Sequence, residues 1–299
     1  MLGTAVIESL QAQGHEIARL VRPATQKRLQ DVARPGEQRN VLWDPVAGLL
    51  ESRAEESNVV INLAGASIGE GRWTAARKRL LEESRVAATR HLVGALGKLR
   101  QPPQVFVAAS AVGYYGDRGD EELTEESAPG NDFLARLCRN WEAESLLAKE
   151  FGARVVLLRC GIVLARQGGA LPRMAMPFRL GVGGRIGSGK QWMSWIALED
   201  VVGVVRYAIE TNLLSGPANV VASHPVRNAE FTTALGHVLH RPALFPAPAF
   251  AMRLALGEMA DGLLLSSQRA LPKKLEQLGY SFLFTDLEAA LATVLHKSR

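Results

Sequence analysis

The chain has 299 residues and a mass of 32.4 kDa, and 47% of its residues are hydrophobic, so it is long enough to bury a full core in one large domain or two. Its 35 basic and 30 acidic residues give a net charge of +5 without a basic run or an RNA-type aromatic motif, so no nucleic-acid partner is expected. Two cysteines, Cys138 and Cys160, exclude a disulfide framework, and no apolar stretch has the length of a membrane span. Glu8 interrupts any signal-peptide core, so we expect a cytoplasmic protein without a membrane partner.

The first residues predict a helix followed by a strand. Gly3 opens an apolar-periodic helix, Gly14 is placed to end it, and the segment HEIARLV (15–21) alternates like a buried strand. This opening raises the question of which segment should precede a helix that begins with a glycine.

Further along, short β-branched runs alternate with long helical patterns. Helices are predicted over 74–99 and 132–150, the second ending at Gly152. The predicted strands are RNVLW (39–43), NVVINLAG (58–65), QVFVAAS (104–110) and RVVLLRCGIVLA (154–165). Strands separated by helices need parallel crossovers, and strands that are apolar on both sides need helices on both faces of the sheet. The predicted fold class is therefore α/β, with a Rossmann-like, doubly wound parallel sheet.

Beyond residue 165 the composition changes. Residues 166–198 are rich in Gly, Arg and aromatics, a helix (200–211) and a strand (216–223) return to the sheet, and residues from Asn228 onward form a predicted helical cap. We predict a dinucleotide-binding domain of residues 1–165 plus 199–223, and a smaller substrate or cap region of residues 166–198 plus 224–299.

The spacing between Gly3 and Arg22, in the first predicted helix and strand, favours a dinucleotide site. In such a fold the first strand enters a glycine-rich turn, and the following helix N-terminus holds the pyrophosphate. A residue roughly 20 positions later, at the end of the second strand, contacts the ribose 2′ position. Arg22 lies 19 residues after Gly3, and its positive charge favours the 2′-phosphate of NADP(H) over NAD. A solvated surface arginine is the alternative.

Several segments together resemble the epimerase-like family of extended short-chain dehydrogenase/reductases that ends in a C-terminal domain of unknown function. They are LGTAVIESLQAQGHEIARLVR, VINLAGASIGEGRWTAARKRLLEESRVAATRHLV, FVAASAVGYYGDRG, the long run from LLRCGIVLARQGG to SWIALEDVV, and SSQRALPKKLEQLGYSF. Members of that family open with a strand and a Gly-x-x-Gly-x-x-Gly turn, and this chain resembles them only from just before the third glycine, Gly3. We therefore expect about ten residues of the family pattern, including the first strand, to be missing, as a start assigned to an internal Met would explain, with weaker cofactor binding as the consequence.

The resemblance also implies which residues contact the cofactor. It places Leu63 and Ala64 beside the adenosine half and Arg85 near the cofactor. A plain strand-to-helix turn and an ion-paired surface arginine are the alternatives. The complete predicted set is Gly3, Val21, Arg22, Asn62, Leu63, Ala64, Gly65, Arg85, Gly161 and Val163.

Candidate catalytic residues follow the strand at 104–110. Ser110 and the motif SAVGYYG resemble the strand end where extended reductases bind a substrate oxygen. In those enzymes a Tyr-x-x-x-Lys pair on the next helix transfers the proton, but no tyrosine of this chain has a lysine four residues later. Ser110, Tyr114 and Tyr115 are the remaining candidates, with a packing or substrate-lining role as the alternative for the tyrosines.

Substrate contacts are predicted from the Gly-rich insertion. Arg185 and Lys190 suit an anionic group, and Trp195 suits a flat one, unless it is a buried anchor of the loop. His237 and His240 lack a third ligand nearby, so no metal site is expected. The sequence thus predicts an NADP(H)-dependent oxidoreductase or epimerase-like protein for a small-molecule substrate, or else a non-catalytic NADP(H)-binding protein; its oligomeric state stays open.

Overall fold

A computed structural model describes residues 1–23 and 39–296 of the protein. Its central feature is a four-stranded parallel sheet in the order β11, β7, β5, β4. The strands are β4 (Val59–Asn62), β5 (Val105–Ala111), β7 (Arg154–Cys160) and β11 (Gly216–Val220). All four coincide with predicted strands, so the parallel α/β prediction is confirmed.

The first strands of the chain form a sheet of their own. In it β1 (Ala18–Val21) pairs in parallel with β2 (Arg39–Asp44), and β2 pairs antiparallel with β3 (Leu49–Leu50). The predicted strand after the first helix is therefore present, and its end at Val21 and Arg22 coincides with the proposed ribose-contacting position.

Helices cover both faces of the parallel sheet. On one face α1 (Leu2–Ala12) and α6 (Leu198–Glu210) share an apolar core with β7 and β11. On the other face lie α3 (Ala88–Leu96) and the helical turn that follows α4 (Phe133–Leu146). Apolar side chains on both sides of the strands are thus buried, as a doubly wound sheet requires. Gly14 and Gly152 end their helices with φ of +85° and +87°, as predicted.

One predicted strand is wrong in its length. The run 154–165 divides at Gly161 into β7 and β8 (Ile162–Leu164), and β8 leaves the main sheet to pair with β10 (Trp195–Ala197). A Cβ on Gly161 would lie 2.3 Å from the Ser194 carbonyl oxygen, so only glycine permits this close approach of two backbones.

The cap region has its own core. It is formed by α5 (Leu171–Arg179), α7 (Asn228–Leu239) and α11 (Leu287–His296), which pack around Trp195 and Met193. The remaining elements are α2 (Ala75–Glu82), β6 (Glu122–Leu123), β9 (Trp192–Met193), β12 (Val226–Arg227), α8 (Ala249–Leu256), α9 (Glu258–Ala260), β13 (Arg269–Ala270) and α10 (Lys273–Gln277). The domain boundaries stay a prediction. None of the helices described here has the length and apolarity needed to cross a membrane.

Candidate functional site

The carboxyl end of β4 is open to solvent. Asn62 is buried, and its side-chain amide donates to the Thr89 hydroxyl at 3.0 Å while its oxygen accepts from the Ala64 amide at 3.3 Å. The chain therefore turns sharply here, leaving Leu63 half-buried and Ala64 and Gly65 exposed. Small exposed residues at a parallel strand end leave the backbone accessible to a ligand.

Arg85 lies against this turn. It occupies a π-helical turn, Glu83–Ala87, between α2 and α3, a feature that is frequent at functional sites. Its guanidinium donates to the Ala66 carbonyl at 2.9 Å, and a Cβ on Gly65 would come within 2.9 Å of its Cζ. Burial lowers the pKa of Arg85, and the region of the chain that the structure describes gives it no carboxylate ion-pair partner.

The predicted pyrophosphate end lies at the start of α1. Gly3 is half-buried there, and no acidic side chain stands in the first turn of the helix. A cleft of about 520 Å³ separates this turn from the end of β8, and its walls include Met1, Thr4, Leu164 and Gly168. Gly161 and Val163 lie on the segment that leads to this cleft.

The predicted ribose-contacting position lies at the end of β1. Val21 is buried and Arg22 is exposed at the end of β1. The structure thus gives each predicted cofactor residue a definite position, and it brings Gly65 and Arg85 into direct contact. The cofactor roles themselves stay predictions.

The carboxyl end of β5 is closed, in contrast to that of β4. Ser110, Arg159 and Asn219 are register partners on β5, β7 and β11, so they form one cross-strand row. Ser110 is 4% exposed, and its hydroxyl donates to Glu142 Oε1 on α4 at 2.6 Å. Glu142 also accepts from Arg159 Nε and Nη2, both at 2.8 Å.

The ion pair of Arg159 and Glu142 is buried, with side-chain exposures of 4% and 6%. Burial lowers the pKa of the Arg159 guanidinium, but the hydrogen bonds and charge of Glu142, with a contribution from Tyr115, outweigh it, and the net shift is upward. A bidentate pair of this kind is geometrically fixed. Arg159 is therefore a permanent positive charge beneath the strand ends.

Tyr115 belongs to this buried network. It is 0% exposed, its hydroxyl donates to Asn219 Oδ1 at 2.7 Å, and it accepts from Arg159 Nη1 at 3.0 Å. Burial raises the pKa of Tyr115 to about 12. Its hydroxyl is thus engaged within the chain, in agreement with the packing role that the sequence left open for it.

Tyr114 has a different environment. It is half-buried, and its ring lies 3.5 Å from the Arg159 guanidinium and edge-on to Tyr115. Within the described part of the chain its hydroxyl makes no hydrogen bond. Of the three predicted catalytic residues, Tyr114 alone presents a hydroxyl that is not already bonded to another part of the described chain.

Apolar residues fill the region where a Tyr-x-x-x-Lys pair would lie. Phe133, Leu134 and Leu137 pack with Trp73 and Met259 in a separate cluster. Cys138 is buried beside Ser110, and burial raises the pKa of its thiol to about 12, so it is not a ready nucleophile.

Two of the predicted substrate residues are exposed and the third is buried. Arg185 and Lys190 are exposed on the Gly-rich loop, where a contact with an anionic group stays a prediction. Trp195 is 0% exposed and its indole donates to the His224 carbonyl at 3.0 Å. Its assignment as a stacking surface is therefore wrong for this structure, and the alternative of a buried anchor holds, because the ring packs inside the cap core.

Sequence reasoning missed Glu142, Arg159 and Asn219. Arg159 in VVLLRCG and Asn219 in GPANVV are polar residues inside apolar strand patterns, and charged residues are almost never fully buried unless they are paired. For Arg159 that anomaly was the available signal. Glu142 stands among the polar residues of RNWEAES, so its burial had no such signal. Across residues 1–23 and 39–296 no cluster of side chains is suited to hold a metal, and His237 instead lies 3.8 Å from Glu288 at the surface.

Comparisons with known proteins concern the family and the fold of the chain. The model of the NAD dependent epimerase/dehydratase family matches residues 1–221, and a domain of unknown function matches residues 247–294. The chain belongs to the NAD-dependent epimerase/dehydratase family. The resemblance predicted from the sequence is thereby confirmed, together with the fold class.

Relatives match along nearly the whole chain. Epimerase family protein ML0860 of Mycobacterium leprae is 40% identical over 293 residues, covering 98% of this chain and 92% of that protein. Epimerase family protein SDR39U1 of Homo sapiens is 35% identical over 297 residues, covering 98% of this chain and 96% of that one.

Solved structures are similar as well. The crystal structure of human SDR39U1 (isoform 2) with NADPH has a TM-score of 0.86 at 32% identity, covering 100% of this chain and 97% of that chain. UDP-glucuronic acid 4-epimerase of Bacillus cereus, in complex with NAD, has a TM-score of 0.74 at 15% identity, covering 99% and 94% of the two chains. The second likeness concerns the fold alone.

Proposed function

We propose that this protein is an NADP(H)-dependent oxidoreductase or epimerase-like enzyme that interconverts a carbonyl and an alcohol on a small oxygenated substrate. Tyr114 is the proposed proton donor. The observation that carries the proposal is the position of this tyrosine, half-exposed at the carboxyl end of β5, with its ring against Arg159 and its hydroxyl not bonded within the described chain. A cytoplasmic location stays a prediction.

The choice of NADP(H) rests on the residues around Gly3, Arg22 and Arg85, here called the cofactor edge. It rests also on the human relative that was crystallised with NADPH. The first turn of α1 offers backbone amides, Arg22 is an exposed cation at the end of β1, and Arg85 is a half-buried cation beside Gly65. Cationic side chains and amides suit phosphate groups. When bound, the cofactor supplies or accepts the hydride.

Tyr114 fits the proton-transfer role by elimination and by its environment. The Ser110 hydroxyl donates its hydrogen bond to Glu142, and Tyr115 is fully buried. A general acid must reach the substrate oxygen within hydrogen-bond distance, which a half-exposed hydroxyl can do. The Arg159 guanidinium lies against its ring, so a cation is present beside this tyrosine although no lysine follows it four residues later.

A non-catalytic NADP(H)-binding protein is the second candidate. The apolar cluster in place of the Tyr-x-x-x-Lys pair favours it, as do the engaged hydroxyls of Ser110 and Tyr115. It shares the cofactor edge with the first candidate and differs only in turnover.

The experiment has two stages. NADPH and NADH are titrated against the full chain, with quenching of its five tryptophans as the signal. A series of aldehydes and ketones is then screened for NADPH oxidation, with Tyr114→Phe as the test variant. Tyr207→Phe is the matched control, because the Tyr207 hydroxyl donates to the Leu278 carbonyl away from the strand ends.

We expect NADPH to bind more tightly than NADH, and Tyr114→Phe to lower kcat by about 100-fold with little change in the NADPH affinity. Tyr207→Phe retains turnover in the native fold. NADPH binding without oxidation of any carbonyl compound would favour the second candidate, and absence of NADPH binding would overturn both.

A further inference from the structure

We propose that residues 179–190 and 241–256, here called the cap patch, dock the protein on the anionic surface of a lipid bilayer. The inference is independent of the proposed turnover, because it uses none of the residues assigned to hydride or proton transfer. It departs from the sequence-based expectation of a protein without a membrane partner. A surface that lies on a bilayer needs no membrane-spanning segment.

Helix α8 (Ala249–Leu256) is the first sign of such a surface, because it is apolar and yet not buried. Seven of its eight residues are apolar, and none of them is buried. A helix that is apolar on every side normally lies inside a protein or in contact with another apolar phase. The Arg72 guanidinium holds α8 in place by donating to the Leu254 carbonyl and, at 3.0 Å, to the Ala255 carbonyl. The helix is therefore fixed in position while its side chains stay exposed.

The two segments of the cap patch are joined through their backbones. The Phe245 amide donates to the Gly183 carbonyl at 3.0 Å, and the Ala247 amide donates to the Arg185 carbonyl at 2.8 Å. A Cβ on Gly184 would overlap the Phe245 carbonyl oxygen, so the two backbones are in direct contact. Since α8 begins two residues after Ala247, the helix adjoins the paired segments.

Large apolar side chains protrude from the cap patch, and each of them is more than half exposed. They are Leu180, Val182, Leu244, Phe245, Phe250 and Leu254. Among residues 1–23 and 39–296 fifteen large hydrophobic side chains are exposed, and these six lie in two short joined segments. Single exposed hydrophobic residues are normal, whereas a cluster marks a contact surface.

The charged residues of the cap patch are all basic. They are Arg179, Arg185, Lys190, Arg241 and Arg253, and all five are exposed. Neither segment contains an Asp or Glu, so their five charges equal the net charge of +5 of the whole chain. Within the part of the chain that the structure describes, only Arg253 has an ion-pair partner, Asp261 at 2.9 Å. The other four cations are therefore available to an anionic partner.

Exposed cations beside protruding apolar side chains suit an anionic bilayer. Lys and Arg attract anionic headgroups, and Phe and Leu enter the boundary of the acyl chains. A second copy of the chain is a poor occupant, since a two-fold contact would bring the same cations together. An acidic protein would need pockets matched to each protruding side chain, whereas fluid lipid accepts them in any arrangement. Charge and shape thus favour lipid.

The test is cosedimentation of the full chain with vesicles. One set contains phosphatidylcholine alone, and the other is an equimolar mixture of phosphatidylcholine and phosphatidylserine. We expect the wild-type chain to bind the anionic vesicles at least about 10-fold more tightly than the neutral ones, because each cation near the surface adds to the attraction. We also expect the affinity to fall as NaCl is added, since salt screens these charges.

A pair of leucine variants tests the apolar contribution. Leu244→Ser combined with Leu254→Ser removes two protruding side chains of the cap patch and should weaken binding to anionic vesicles by about 10-fold. Leu49→Ser combined with Leu213→Ser is the matched control, because these leucines are 69% and 70% exposed outside the patch, against 72% and 76% within it. The control should bind like the wild-type chain.

A pair of arginine variants tests the charge. Arg179→Gln combined with Arg241→Gln should weaken binding by about 10-fold or more. Arg100→Gln combined with Arg139→Gln removes the same charge from exposed positions outside the patch and should have a much smaller effect. The two proteins have equal net charge, so a difference between them reports the position of the cations.

Thermal melting shows whether each variant is folded, and the arginine pair decides the matter if the leucine variant is not. Losses in the folded cap-patch variants that their controls do not share support the proposal. Absence of binding to anionic vesicles at low salt, or equal losses in patch and control variants, overturns it. Sedimentation velocity without lipid completes the test. A dimer that Leu244→Ser with Leu254→Ser dissociates, without vesicle binding, assigns the cap patch to a second copy and overturns the proposal as well.

Discussion

The carboxyl ends of β4 and β5, two adjacent strands of one sheet, are built in opposite ways. At β4 the chain exposes Ala64 and Gly65, and the nearest cation, Arg85, has no carboxylate ion-pair partner among the described residues. At β5 the side chain of Ser110 is joined to Glu142 and Arg159 in a buried network. The first strand end is available to a ligand, and the second is already satisfied by the protein.

The two strand ends therefore suit different tasks: the end of β4 suits the binding of a ligand, and the end of β5 suits the positioning of side chains. An uncompensated cation beside exposed backbone gains most from an anionic ligand. A closed network adds no new bond to a ligand, but it fixes the group that packs on it, here the Tyr114 ring. The predictions below test each side of this comparison.

The largest effect is expected from Arg159→Met. It leaves Glu142 buried without its cation, which should lower the free energy of unfolding by about 3 to 5 kcal/mol. Urea denaturation followed by circular dichroism measures it. Arg90→Met is the matched control, because Arg90 pairs with Glu144 at the surface and its loss should leave the midpoint nearly unchanged. Equal midpoints for the two variants would contradict the closed network.

Tyr115→Phe should be the next most destabilising change. It removes the hydroxyl that bonds Asn219 and Arg159, leaving buried polar groups unsatisfied at about 1 to 3 kcal/mol. Tyr114→Phe, one residue earlier, removes a hydroxyl without such partners and should unfold like the wild-type chain. Denaturation of both variants side by side decides this, and a greater loss in Tyr114→Phe would reverse our assignment of the two tyrosines.

On the open side, Gly65→Ala should weaken NADPH binding by about 10-fold, or about 1.4 kcal/mol. The added Cβ would lie 2.9 Å from Arg85 Cζ, so the guanidinium must leave its place against the turn. Tryptophan quenching gives the dissociation constant. Gly94→Ala is the control, since a Cβ there has open space in α3, and an unchanged NADPH affinity in Gly65→Ala would remove Arg85 from the cofactor edge.

The smallest predicted effect is a loss of folding stability at alkaline pH. Burial raises the pKa of Tyr115 to about 12 in the folded chain from an ordinary value of 10.0. The unfolded chain therefore loses this proton first, so the stability contribution is complete below pH 10 and is lost as the pH rises from about 10 to about 12. At pH 11 the loss amounts to about 1 kcal/mol.

Denaturation between pH 9 and 12 should show this loss in the wild-type chain and in Tyr114→Phe, and a smaller one in Tyr115→Phe. A loss that is identical in all three proteins would mean that Tyr115 ionises equally in both states.

Much of the fold follows from local patterns. The strands of the parallel sheet and the glycine helix ends were predictable because apolar runs on both sides of a strand and αL glycines are local signals. The break at Gly161 was not, because its cause is the Ser194 carbonyl on a distant segment.

The candidate site likewise contains residues that could be predicted from local sequence and residues that could not. Asn62 to Gly65 was identified from the strand end itself. The partners of Ser110 and Tyr115 were not, because Glu142, Arg159 and Asn219 come from three other elements and meet only through the register of the sheet. Trp195 was ambiguous for a similar reason, since sequence does not distinguish an aromatic ring that stacks on a ligand from one that anchors a core.

The central claim is that the two adjacent tyrosines differ in role, Tyr114 in proton transfer and Tyr115 in holding the network. The most direct test is kcat for NADPH-dependent reduction, by Tyr114→Phe and Tyr115→Phe, of the carbonyl compound that the wild-type chain reduces fastest in the screen, at saturating NADPH and below the melting temperature of each variant. We predict a loss of about 100-fold in Tyr114→Phe and a much smaller loss in Tyr115→Phe. Full activity in Tyr114→Phe, with the larger loss in Tyr115→Phe, would contradict the claim.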